Sequence, residues 1–451
     1  MNIVIMGQGK IGRTLTKVLS KEDHEITVID INSKTVENMA NSYDVMGVVG
    51  NGASYNVQLE AGVQKADLIV ATTPSDEVNI LCCLLAKKIG AKHTIARVRN
   101  PEYSNQLYFL KKDLGLSLIV NPELDAASEM FKIISFPSAL KLDIFARGKV
   151  ELAEIKIEDG NPFDGQILSQ LYKKYNVKIL VCIVERDDEV YIPGGDFILK
   201  KGDRIYITAS HAELSQFFKL LKIYQHKLKK VMVIGGGRLG YYLSEQLLSA
   251  GIDVKLIEQD ENRCLELSDL LPKATIICGD GTDQTVLQEE GIDNTDAIVS
   301  LTGIDEENMV ISMFAQKYGI KKVITKIDRS SFVGMLNTIG IESIISPKII
   351  SVNRVLSYIR AMTNTESSSL KTMYEIAEGR VEALEFEISE SSEIIGIPLK
   401  DLRIKKGIII GCIIRRDRVI FPGGNDTIER NDSVIVITKN QELREINEIL
   451  Q

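Results

Sequence analysis

The chain has 451 residues, too many for one ordinary core and enough for three or four domains. With 26% charged and 44% hydrophobic residues the composition is that of a soluble globular protein, and no apolar run reaches the roughly 20 residues a membrane helix needs. A formal charge of −8 argues against a nucleic-acid partner and specifies no other.

The first predicted strand, Ile3-Val4-Ile5-Met6, begins almost at once, so no secretory signal is expected. It runs into Gly7-Gln8-Gly9-Lys10-Ile11-Gly12, and Leu15, Val18 and Leu19 follow at helical spacing. About 18 residues past the third glycine, Asp30 closes a second strand, where a carboxylate accepts hydrogen bonds from ribose hydroxyls. The first glycine permits a tight turn, the second lets backbone approach a pyrophosphate, and the third lets helix pack on strand. Helix N-terminal amides and the helix dipole favour the anion. No arginine follows Asp30 to receive a 2′-phosphate, so NAD(H) or an adenine nucleotide fits better than NADP.

Strands and helices then alternate for about 130 residues, which predicts a doubly wound parallel sheet. Alternating strands such as Val150 to Ile157, a short helix near Ile167 to Tyr172, and Pro193-Gly194-Gly195 and Lys201-Gly202-Asp203 turns follow, predicting an α+β module of about 80 residues. The Pro-Gly-Gly turns are expected to close hairpins.

After a short basic junction, residues 222–230, the pattern repeats with a period of about 229 residues. Strand Lys230 to Ile234 leads into Gly235-Gly236-Gly237-Arg238-Leu239-Gly240, and Glu258 takes the place of Asp30, again with no arginine after it. Gly50-Asn51-Gly52 returns as Gly279-Asp280-Gly281, and Asp76-Glu77 with Asn79 returns as Asp305-Glu306 with Asn308. Phe145-Ala146-Arg147-Gly148-Lys149-Val150-Glu151 parallels Ile376-Ala377-Glu378-Gly379-Arg380-Val381-Glu382, and Pro193-Gly194-Gly195 parallels Pro422-Gly423-Gly424. The expected order is two Rossmann domains, residues 1–134 and 229–358, each followed by a small α+β domain, residues 135–224 and 369–451.

The copies differ in charge. Lys10 and Arg238 each place a cation inside a phosphate loop, which suits extra phosphate; the alternative is a solvent-exposed side chain at a helix start. Asn51 faces Asp280 across the repeat, and Asn121-Pro122-Glu123 faces Ser346-Pro347-Lys348. Proline followed by an acid is also simply a good helix start. Different ligands, or unequal affinities for one ligand, are expected in the two halves.

The doubled loops, Gly50-Asn51-Gly52, Val70-Ala71-Thr72-Thr73 before Asp76, and Ile95-Ala96-Arg97-Val98-Arg99 before Pro101-Glu102-Tyr103 together resemble the Trk-type potassium-uptake regulatory subunits, built of tandem RCK (KTN) nucleotide-binding domains each followed by an RCK C-terminal domain. The resemblance covers essentially the whole chain. It implies a cytoplasmic protein, peripheral on the inner face of the membrane, forming a dimeric or tetrameric ring beneath a potassium-translocating subunit. Binding of NAD(H) and/or ATP/ADP would gate that subunit. Carried over, Gly7 to Ile11 cradle phosphates, Asp30 holds ribose, Thr72, Thr73 and Pro74 border the base or nicotinamide side, and Arg97 faces the nucleotide. The matching second-half positions are Arg238, Leu239, Glu258, Leu301, Thr302 and Lys326. In related single-unit regulators the glutamate matching Glu123 contributes to a nucleotide-linked cation site; Lys348 cannot. Met130 to Ile134 would form a helix that pairs nucleotide domains, or complete its own domain's core.

An NAD-dependent oxidoreductase is the rival reading, and a nucleotide-stabilised scaffold without gating is the third. Hydride transfer needs a placed acid or base. His24, His93, His211 and His226 are the four histidines, none with an evident partner in sequence, so no enzyme is expected. The six cysteines lack ligand spacing and read as buried free thiols.

Overall fold

The computed structural model describes all residues except 23, 104–105, 107–110, 112, 136–140, 146–149, 176–178, 188, 221–227, 321, 333–334, 337–339, 342, 364–369, 378–379, 417, 440–442 and 444. The expected Ala146 to Lys149 and Glu378-Gly379 turns, and most of the basic junction with His226, lie outside the described residues. Two compact units emerge: Met1–Phe131 with Leu228–Leu356, and Lys132–Lys227 with Ser357–Gln451. Like modules are grouped with like, although the chain alternates between them.

In the first unit, strands β1 (Asn2–Met6), β2 (Glu25–Asp30), β3 (Met46–Val49), β4 (Leu68–Ala71), β5 (His93–Arg97) and β6 (Leu118–Val120) form a parallel sheet in the order β3-β2-β1-β4-β5-β6. β1 and β4 are almost wholly buried, as helices on both faces of a parallel sheet require. The order reverses between β1 and β4, and the crevice at their carboxyl ends is where such sheets bind ligands.

In the second unit, β7 (Lys141–Phe145), β8 (Val150–Lys156), β9 (Leu180–Arg186), β10 (Glu189–Tyr191) and β11 (Arg204–Ala209) form an antiparallel sheet. The first unit's second sheet is β12 (Lys230–Ile234), β13 (Asp253–Glu258), β14 (Thr275–Cys278), β15 (Ala297–Ser300), β16 (Lys322–Lys326) and β17 (Ser343–Ile345), in the same order as the first. The second unit's other sheet comprises β18 (Leu370–Ile376), β19 (Val381–Glu387), β20 (Ile408–Arg415), β21 (Arg418–Ile420) and β22 (Ser433–Thr438). No helix among the described residues is long and apolar enough to cross a membrane.

Two details depart from expectation. The hairpins close between Arg186 and Glu189 and between Arg415 and Arg418, with Asp187 and Arg416 at positive φ. Such two-residue reversals need left-handed residues to match strand twist. Pro193-Gly194-Gly195 instead leads to the bridge between Ile167 and Ile198, so it is a turn outside any hairpin. Cys278 is exposed, whereas the other five thiols are buried.

The Lys201-Gly202-Asp203 turn has a structural role. Asp203, fully buried, accepts both Nε and Nη2 of Arg186 at 2.7 Å. Asp432 takes Nε and Nη2 of Arg415 at 2.9 and 2.8 Å in the other module. Hydrogen bonding to the carboxylate raises the pKa of each arginine.

Candidate nucleotide sites and the cleft between the loops

The three glycines of each loop do different work. Gly7 and Gly235 have φ of +88° and +107°, and a Cβ on them would lie 2.7 Å from Thr73 N and 2.9 Å from Leu301 C. A Cβ on Gly12 or Gly240 would lie 2.0 or 2.1 Å from the carbonyl oxygen of Gly7 or Gly235. A Cβ on Gly9 or Gly237 would meet nothing within 4 Å beyond the adjoining chain. These middle glycines cap the helices Lys10–Leu19 and Arg238–Ser249 in extended conformation, so their open side is free for an approaching phosphate.

Each loop is fastened to its acid. The Gln8 N–H donates to Asp30 Oδ2 and the Gly236 N–H to Glu258 Oε2, both at 2.7 Å. The other carboxylate oxygens accept from Asn32 N and Asp260 N at 2.9 Å. Both acids are therefore pre-oriented beside their loops, with lone pairs left for hydroxyl donors. The Gln8 side chain turns inward, donating to Ile5 O and accepting from Thr16 Oγ1, so only its backbone faces the loop. Ile11 and Leu239 are buried on the inner face of their helices.

The repeated Asp-Glu-x-Asn segment is a latch between strand ends. Asn79 Oδ1 accepts from Thr73 N and Oγ1 at 2.7 Å, while its Nδ2 donates to Thr73 O and Arg97 O. Asn308 ties Thr302 N, Thr302 O and Lys326 O in the same way. Asp76 accepts from the Arg99 and Asn100 amides, and Asp305 from those of Asp328 and Arg329. Thr72 donates to Gly7 O at 2.9 Å, a bond that Leu301 in the second half cannot make. Asn51 and Asp280 form local turns, accepting from Ala53 N and from Thr282 N and Oγ1 respectively. The Thr282 backbone bond, then its hydroxyl, holds Asp280 below the usual carboxylate range.

A cleft of about 630 Å³, in the size range of small-molecule sites, opens at the second loop; Lys10 and Ile11 of the first loop also line it, but Gly7, Gly9, Asp30, Asn51, Thr72, Thr73 and Pro74 do not. Gly237 to Gly240, Glu258, Asp280, Leu301, Thr302 and Lys326 line it from the second half; Lys10, Ile11, Arg97, Arg99 and Glu123 line it from the first. Arg97 thus lies on the cleft shared with the second loop, its Nη2 donating to Thr73 O and its Nε buried without a partner. Burial, reinforced by Arg99, lowers its pKa to about 10. Pro74 O accepts from Arg99 Nη2 at 2.6 Å. Glu123 Oε1 stands 3.9 Å from Arg99 Nη1, and its buried Oε2 has no partner. Burial raises the Glu123 pKa against the opposing pull of Arg99, Arg97 and Arg238.

The loop cations are therefore unequal. Lys10 Nζ is 2.8 Å from Asp328 Oδ2, whereas Arg238 lines the cleft with Arg97, Arg99 and Glu123 of the first half. Lys326 Nζ donates to Thr302 O at 3.0 Å and Lys348 Nζ to Asp328 O at 2.8 Å. The helix Pro122–Ser135, the candidate crossing element, joins the halves of this unit near its start. Asn121 Nδ2 donates to Tyr242 OH at 3.1 Å, Gln246 Nε2 to Ser128 Oγ at 3.3 Å, and Arg354 pairs with Asp125. Further along, Met130, Ile133 and Ile134 are buried.

Several residues near the loops have no warning in sequence. Arg13 Nε and Arg263 Nε donate to Gln8 O and Gly236 O at 2.7 and 2.8 Å, yet they sit on non-equivalent helices. Arg99 had a signal in its two-residue spacing from Arg97, which places both on one side of an extended segment. His24 and His93 do have neighbours, Glu22 at 3.3 Å and Ser117 Oγ at 3.4 Å.

Two Rossmann sheets with latched strand ends, in a chain that also carries two small antiparallel modules, define the RCK architecture. The GsuK RCK domain superposes with a TM-score of 0.64 over 97% of this chain and 92% of that one, at 18% identity. A GsuK channel solved with NAD gives 0.65 over 97% and 77%, also at 18% identity. The TrkA-N domain model matches residues 3–122 and 231–347, and the TrkA-C domain model matches 152–222 and 383–451. The chain belongs to the TrkA family of Trk potassium uptake proteins. It is 33% identical over 452 residues to the Trk system potassium uptake protein TrkA homolog of Archaeoglobus fulgidus, covering 100% of both chains. The TrkA protein of Vibrio alginolyticus is 30% identical over 445 residues, 98% of this chain and 96% of the relative.

Proposed function

We propose that the chain is the nucleotide-binding regulatory subunit of a potassium uptake system, gating a membrane potassium-translocating subunit in response to NAD(H) and/or ATP/ADP. The observation that carries the reading is the doubled loop with an open middle glycine and a pre-oriented acid, the second copy opening on a cleft that Arg97, Arg99 and Lys10 also line. Gly7 to Gly12, Asp30, Asn51, Thr72 to Pro74 and Arg97 compose the first site. Gly235 to Gly240, Glu258, Asp280, Leu301, Thr302 and Lys326 compose the second. Arg238 with Arg97 and Arg99 suits a ligand with more phosphate charge, ATP or ADP, in the second half, while the Lys10 charge is already met by Asp328. NAD(H) then fits the first half better.

The four-domain division at 1–134, 135–224, 229–358 and 369–451 is part of this proposal. So are a cytoplasmic location against the inner membrane face and assembly of dimers or tetramers into a ring, which light scattering tests. A regulator rather than an oxidoreductase is supported by the family. Gating requires unequal nucleotide affinity for two conformations. Potassium flux through the reconstituted partner is expected to change with added nucleotide. Flux indifferent to nucleotide leaves a scaffold, and NADH turnover by the purified chain restores the enzyme.

A further inference from the structure

Cys278 ends β14 and pairs in register with Glu258, the acid that ends β13. Cys264 lies in the helix Glu261–Leu270 and its thiol donates to Glu258 O at 3.2 Å, so both cysteines border the backbone of that acid. The next residue, Gly279, donates its N–H to the same Glu258 carbonyl at 2.9 Å, and Glu258, Gly279 and Asp280 line the cleft. One thiol is exposed and the other is 7% exposed. In the first half the corresponding places hold Val36 and Val49, one buried and one exposed. The fold tolerates valine in both places, so packing alone does not explain two thiols bordering the ribose acid of one half.

We propose that Cys264 and Cys278 are a reversible dithiol–disulfide site, oxidised by low-molecular-weight disulfides, whose closure weakens nucleotide binding in the second half. The binding consequence rests on the reading of that half as a nucleotide site. The exposed Cys278, as thiolate, attacks one sulfur of RS–SR; the S–S bond breaks and RS⁻ leaves, taking a proton from water. Cys264 then loses its proton to solvent and attacks Cys278 Sγ, expelling the second RS⁻, which is protonated in turn. Two thiols are oxidised by two electrons and RSSR is reduced to two RSH. Burial pushes the Cys264 thiol up to about 11, so the second step relies on intramolecular proximity rather than on a ready thiolate. Closure removes the S–H donor from the Glu258 carbonyl and ties the end of β14 to the helix, where the carboxylate must stay aligned with the Gly236 amide.

The test uses the full chain carrying Gly9→Ala, so that the second half is read alone, titrated with ADP and with NADH when reduced, after oxidised glutathione, and after re-reduction. Peptide mass mapping is expected to show a Cys264–Cys278 link, with Kd raised about tenfold and restored by dithiothreitol. Cys264→Ser should stop at a glutathione adduct on Cys278, and Cys278→Ser should leave binding insensitive to the oxidant. Absence of the linked peptide overturns the thiol pair, and so does linked protein that binds as tightly as reduced protein. Reduced protein that binds neither nucleotide overturns the nucleotide reading of the second half and with it the binding consequence, independently of the mapping.

Discussion

The two Rossmann halves keep the same strand order, the same glycine packing and the same asparagine and aspartate latches, yet they differ in charge at matched positions: Asn51 against Asp280, Arg99 against Asp328, Glu123 against Lys348. Lys10 is matched to Asp328 while Arg238 lines the cleft with Arg97, Arg99 and Glu123; Thr72 bonds the loop where Leu301 does not; Val36 and Val49 stand where Cys264 and Cys278 border Glu258. Positions that satisfy buried backbone have little freedom, because an orphaned N–H or C=O in the interior destabilises by about 1–3 kcal/mol. Positions that face solvent or ligand carry no such constraint and could diverge toward different ligands.

Matched substitutions test where equivalence ends. The largest effect is expected outside the cleft. Asp203→Ala and Asp432→Ala each leave an arginine facing a vacated buried position and should each destabilise by about 3–5 kcal/mol in chemical denaturation. Unequal losses would show that the small modules have diverged as well. Gly12→Ala and Gly240→Ala should each destabilise by about 1–3 kcal/mol in thermal unfolding, since a Cβ at 2.0 or 2.1 Å from a carbonyl oxygen must displace backbone.

Gly9→Ala and Gly237→Ala should leave stability within about 0.5 kcal/mol, because the space around them is open. Each should weaken nucleotide binding in its own half by about tenfold or more, measured by titration calorimetry. Loss of both sites from one substitution would mean that the cleft holds a single ligand. Arg238→Gln should reduce ADP or ATP affinity about tenfold, and Lys10→Gln by less, since Lys10 already has an acidic partner. Equal effects would remove the electrostatic distinction. The smallest effect belongs to Lys10→Gln on stability, about 0–1 kcal/mol, since Lys10 is largely exposed in its ion pair.

Much of this was legible in sequence because it is local or periodic. Gly7 to Gly12 and Gly235 to Gly240, the acids Asp30 and Glu258, and the alternation of strand and helix follow from residue type and spacing. The Asp-Glu-x-Asn repeat was visible, but its role was not. Asn79 bonds Thr73 and Arg97 across two strand ends, which only the folded register brings together. The hairpin turns went to Asp187 and Arg416 rather than to the Pro-Gly-Gly segments because pairing partners, not turn propensity, determine where a strand reverses.

By itself, then, the sequence determined the duplicated architecture and the two glycine loops, since short-range backbone geometry and hydrophobic period are written residue by residue, while the family was legible as a resemblance of motifs. Tertiary structure alone decided that Lys10, Arg97 and Arg99 of the first half line the cleft at the second loop, that Asp328 pairs with Lys10, and that Cys264 and Cys278 both border Glu258. Charges and thiols far apart in the chain act on one another only at short distance, and those distances depend on how the halves pack.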